Sequence, residues 1–114
     1  MSIVLVKRVS VPALDVLKNQ SVMPLYAVKI TGLGIYPMSE DLRINFKKEN
    51  GSFYFSEMCP VIILKEGDHY RFNLQKPLEV PANRNIYFDL ENLSGASIQA
   101  DVVFFGEPAG AENV

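Results

Sequence analysis

The chain has 114 residues, 48% apolar and 21% charged, with a net charge of −2, which fits one domain able to close a hydrophobic core without metals or disulfides. That charge gives no field to gather nucleic acid or an anionic membrane, and the eleven Lys and Arg are scattered, Lys47-Lys48 being their densest cluster. The lone Cys59 excludes an intramolecular disulfide and suits a reducing cytosol.

From the N-terminus, Ile3–Val6 is apolar on both sides and is followed, not preceded, by the charges of Lys7 and Arg8. It is too short for the apolar core of a signal peptide, so no secretion signal is expected. Pro12–Gln20, with Leu14, Val16 and Leu17, admits one or two helical turns. Leu25–Ile30 reads as a strand covered on both faces, closed by Gly32, Gly34 and Pro37.

Strict alternation then begins. Leu42, Ile44 and Phe46 alternate with Arg43, Asn45 and Lys47; beyond Asn50-Gly51, Phe53 and Phe55 alternate with Ser52, Tyr54 and Ser56. This predicts a hairpin with its phenylalanines inward and a type I′ turn at Asn50-Gly51. Val61–Leu64 is a third two-faced strand. Tyr70, Phe72 and Leu74, then Ile86, Phe88 and Leu90, mark two half-buried strands, and Val102–Phe105 is a last two-faced one.

Turn residues punctuate these runs at close intervals, and no segment is long enough for a crossover helix. The fold class expected is therefore all-β: an antiparallel, jelly-roll-like β-sandwich of about eight short strands. One domain is expected over residues 1–106, with residues 107–114 a flexible tail. The longest apolar runs are four residues, far below the roughly twenty that span a bilayer, so a soluble protein is expected.

Chemistry is sparse. His69 is the only histidine, and with Cys59 it makes a Cys–His pair formally conceivable, but Cys59 beside Pro60 reads as a buried hydrophobe. One histidine cannot build a zinc or cupin-like site. The acidic loops Ser39-Glu40-Asp41 and Glu66-Gly67-Asp68 lack alternating calcium ligands, and Thr31-Gly32-Leu33-Gly34 lacks the lysine and helix of a phosphate loop. No catalytic residue, cofactor or metal ligand is assigned, and the protein is not expected to be an enzyme.

Two surfaces remain. Tyr36, Tyr54 and Tyr87 fall at outward or loop positions and offer a platform for a carbohydrate or other ligand. If Ile98, Ala100, Val102 and Phe104 face the core, then Val103 and Phe105 point away, and Ile62 and Leu64 show a similar surplus. With Ile3, Val4, Leu5 and Val6, which could add to a neighbour's sheet edge, these form the expected interface of a homo-oligomer.

The stretch Glu79-Val80-Pro81-Ala82-Asn83, the run Phe88-Asp89-Leu90-Glu91-Asn92-Leu93-Ser94-Gly95 and a final apolar strand ending in Gly106-Glu107 resemble the closing strands of small β-sandwich virion proteins of bacteriophages. The resemblance covers the last third of the chain. It implies a minor capsid, vertex or decoration protein, assembled in the host cytoplasm as a trimer or pentamer and docked on other virion proteins; charge and apolar run length add the expectation of no nucleic acid and no membrane insertion. It brings no catalytic residues. The alternative is a carbohydrate- or ligand-binding β-sandwich module.

Overall fold

The computed structural model describes residues 2–48, 51–64 and 71–109, with side chains from Leu5 onward. Eight strands follow in chain order: β1 Ser2–Val11, β2 Val16–Val22, β3 Val28–Tyr36, β4 Leu42–Phe46, β5 Cys59–Pro60, β6 Phe72–Val80, β7 Ile86–Asn92 and β8 Ile98–Pro108. The all-β expectation holds. The strands form two four-stranded antiparallel sheets, ordered β1-β8-β3-β6 and β2-β7-β4-β5. Every connection crosses from one sheet to the other except β4 to β5, which is the wrapping of a jelly roll.

The alternating runs build the core because their even positions meet between the sheets. Leu42, Ile44 and Phe46 of β4 and Ile86, Phe88 and Leu90 of β7 face Ile30, Leu33 and Ile35 of β3 and Ala100, Val102 and Phe104 of β8, all buried. On the edge strand β1, Lys7 alternates in phase with Leu5, Val9 and Val11 and stands opposite the buried Val102. An inward-pointing cation on an edge strand opposes flat edge-to-edge pairing.

Five segments differ from the sequence reading. The two-faced strand expected over Leu25–Ile30 begins only at Val28: Leu25 and Tyr26 lie in the preceding loop, exposed, and Gly32 and Gly34, expected to close the strand, are inside β3. Val16–Val22 is a strand, not a helix; its register slips between Leu17 and Gln20, with Asn19 left-handed at φ 55°, and this bulge breaks the period-2 pattern that would have marked it. Val61–Ile63 is a single 3₁₀ turn rather than a strand. Its three-residue period sends Val61 and Leu64 into the core and leaves Ile62 and Ile63 exposed.

The predicted hairpin survives only as a bridge between Lys47 and Phe53. Past it the chain bends, because the buried Asn45 side chain takes the place of a strand partner: its Nδ2 donates to the Phe55 carbonyl at 2.9 Å, and its Oδ1 accepts the Phe55 N–H at 3.0 Å. The bend turns Phe53 out to solvent and Tyr54 inward, where its ring stacks on Phe46 at 4.7 Å. Tyr54 and Phe55 also reach Phe72 of β6, so this loop closes the side of the sandwich that the two-residue β5 leaves short. Gly51 is left-handed at φ 85° and its N–H closes a turn on the Lys48 carbonyl; Asn50 lies outside the described residues.

Finally, β8 continues through Glu107 and Pro108, opposite Lys29 and Val28 of β3, so these two residues belong to the sandwich and not to the tail. Ala109 N–H still reaches the Ala27 carbonyl at 2.8 Å. Residues 110–114 lie outside the described residues.

One end of the sandwich carries the β1–β2, β3–β4 and β7–β8 turns, and a single side chain ties two of them. Asn92, fully buried, donates from Nδ2 to the carbonyls of Val11, Pro12 and Ala96 and accepts the Ser94 N–H on Oδ1. Backbone bonds from Leu14 N–H to Ser94 O and Leu93 N–H to Asp41 O complete the closure. Asparagine suits this position because one amide both donates and accepts.

Candidate functional site

At the opposite end the turns stand apart. The β6–β7 turn, residues 81–85, touches the β2–β3 loop through one backbone bond, Asn83 N–H to Pro24 O at 2.9 Å, and Asn83 is left-handed at φ 63°. Between this turn and the end of β4 lies a cleft of about 540 Å³, within the size range of small-ligand sites. Leu78, Val80 and Ile86, the last core side chains of β6 and the first of β7, form its floor, so the cleft is the mouth of the space between the sheets.

Its rim is polar and positive: Lys47, Lys48 and Arg84, with Asn83, Asn85 and Tyr87. No carboxylate lines it among the described residues, while the chain as a whole is net negative. Lys47 is fixed in place. Its Nζ donates to Asn19 Oδ1 at 3.1 Å and lies 5.3 Å from the Phe53 ring centroid, while the Asn19 N–H is held by the buried Asp89 carboxylate at 2.9 Å. Lys48 and Arg84 meet no side-chain hydrogen-bond or ion-pair partner among the described residues. A second hollow, of about 400 Å³, is lined by Arg43, Glu57, Met58, Pro60 and Glu91 and mixes both signs of charge.

The three tyrosines do not share a face. Tyr87 is exposed on the rim of the mouth, and Tyr54 is packed against the core. Tyr36 lies on the outer face of the first sheet, where its ring and that of Phe105 close over Gly34, both within 3.1 Å of where a Cβ would stand. A side chain at this position would have to push the two rings aside.

The expected interface residues also divide. Leu5 packs against the core and Val6 is 51% exposed; the side chains of Ile3 and Val4 lie outside the described residues. This segment is β1 and pairs with β8 of its own chain, so it is not a free arm, although its outer edge is open. Ile62 is exposed, whereas Leu64 is core. Val103 and Phe105 do point away from the core, but Val103, between Val6 and Gly34, is buried, and Phe105 is half-buried with the Arg71 guanidinium 5.5 Å from its ring centroid. Neighbours on the same sheet face cover much of that surplus.

The most exposed apolar side chains sit instead in loops. In the β2–β3 loop beside the mouth, Leu25 is 83% exposed and Met23 and Tyr26 are also outward; at the closed end Leu14 is 75% exposed. Periodicity cannot flag these positions, because an apolar residue in a loop has no face.

Cys59 is buried, and desolvation pushes its thiol pKa up, which disfavours the thiolate. His69 lies outside the described residues. Among the described residues no group of three His, Cys, Asp or Glu converges on a metal position, and no helix is long and apolar enough to cross a membrane. Neither protein-family models nor curated proteins match the chain.

Proposed function

We propose that this protein is a structural component of a bacteriophage virion, a minor capsid, vertex or decoration protein that self-associates and docks on other capsid proteins. The observation that carries the reading is the placing of its uncovered apolar side chains: Met23, Leu25 and Tyr26 in one loop, with Leu14, Ile62 and Ile63 elsewhere on the surface. Apolar groups concentrated in loops mark contact surfaces rather than core. The jelly-roll wrapping supports it, being shared by viral capsid domains as well as by lectins and cupins, and so does the resemblance of the last third of the chain. In this reading the assembly is a trimer or pentamer, made in the host cytoplasm and resident in the virion.

The test is the solution mass by light scattering over a range of concentrations, for the native chain and a Leu25→Ser, Tyr26→Ser double variant. A trimer or pentamer that falls to monomer in the variant is the expected result. A monomer at every concentration would overturn the proposal.

A further inference from the structure

We infer that the open mouth of the sandwich is a binding site for an acidic saccharide, a sugar carrying a carboxylate. The cleft is formed within one chain, so this does not rest on the assembly proposed above. Three features select the ligand class. The cationic rim of Lys47, Lys48 and Arg84, without an opposing carboxylate among the described residues, calls for an anion. The amides of Asn83 and Asn85 and the phenol of Tyr87 both donate and accept, which hydroxyl groups require and a bare phosphate, an acceptor only at full charge, does not. The apolar floor of Leu78, Val80 and Ile86, beside the exposed Tyr87 ring, matches the C–H face of a pyranose.

Part of the rim is set before any ligand arrives. Lys47 is held by Asn19, Asn85 Nδ2 lies 3.4 Å from Tyr87 Oη, and the Lys47 N–H bonds the Tyr87 carbonyl at 2.9 Å. Lys48 and Arg84 are left to close on the acid group. The size favours a compact ligand over a peptide, since the cleft holds about 540 Å³, within the range of small-ligand sites.

The experiment is a nitrogen-15 NMR titration of the intact chain with glucuronate, glucose, inorganic phosphate and an oligoglutamate peptide. Glucuronate is expected to give saturable shifts confined to residues 47–51, 78–80 and 83–87, with glucose and phosphate each about tenfold weaker, the loss of one charge-assisted or hydroxyl contact set. A Lys48→Gln, Arg84→Gln variant should lose about tenfold in affinity, Tyr87→Ala somewhat less, and Lys29→Gln on the far sheet face nothing. Spectral dispersion of each variant reports that it is folded. Phosphate binding as tightly as glucuronate would reduce the mouth to a simple anion site and overturn the proposal. So would tighter binding of the acidic peptide, or no saturable shift with glucuronate.

Discussion

The two ends of the sandwich solve the same problem in opposite ways. Each must terminate four or more strands whose last backbone groups have lost their ladder partners. At the closed end a buried amide, Asn92, supplies the missing partners for three carbonyls and one N–H, and the turns are drawn together. At the open end the two neighbouring turns share one backbone bond, and the space between the sheets reaches solvent past Leu78, Val80 and Ile86. Polar side chains at one end hold the fold, and those at the other stand ready for something else.

That contrast is most exposed to mutation. Asn92→Ala removes the amide that serves three carbonyls and one N–H, of which the Ala96 carbonyl keeps the Ser94 hydroxyl, and should cost about 3 kcal/mol, lowering the melting temperature by roughly 10 °C, read by urea and thermal unfolding. Asn85→Ala at the open rim should cost less than about 0.5 kcal/mol. Equal losses would erase the distinction between the ends. Asn45→Ala, which frees the loop carrying Tyr54 and Phe55, should cost about 2 kcal/mol and raise the fluorescence accessibility of Tyr54 to quenchers.

Smaller effects sharpen it. Cys59, buried with its thiol pKa raised, should react slowly with a disulfide reagent in the native protein and quickly once unfolded; fast native reaction would place it at an opening. The smallest effect concerns Arg8 and Asp101, which pair across β1 and β8 at 2.8 Å and 3.3 Å. The hydrogen bond from Arg8 holds the Asp101 carboxyl below its ordinary range. A depressed carboxylate pKa stabilises the fold above the ordinary carboxylate range, and the contribution fades as pH falls through the lower, folded value. Asp101→Asn should therefore differ slightly from the native chain at neutral pH and converge with it in acid. Both side chains face water, so the difference should also shrink in high salt.

Period-2 alternation made β4, β7 and β8 readable, because burial on one face is written in every second residue. It failed where a side chain substituted for the backbone. Asn45, Asp89 and Asn92 occupy or adjoin alternating strands and look like outward polar residues, yet all three are buried. The partners of Asn92 include Val11 and Pro12, some 80 residues away, and such pairing leaves no local trace. The four apolar residues Val61–Leu64 fit a strand or a 3₁₀ turn equally well. The basic rim was half visible: Lys47-Lys48 stood out, but Arg84 joins them only through the fold, and two strands intervene in sequence. In Gly106 the physical reason arrived with the structure, since a Cβ there would fall on the Lys29 carbonyl of β3.

The strand order also bears on synthesis. In the first sheet β8 lies between β1 and β3, so these two strands have no bridge until β8 follows. The first sheet therefore cannot be completed before β8, and its β1–β8 pairing closes over a long chain separation, which slows folding. The outer face of that sheet, which carries Val6, Val103 and Phe105, thus exists in finished form only once β8 has paired on both its edges.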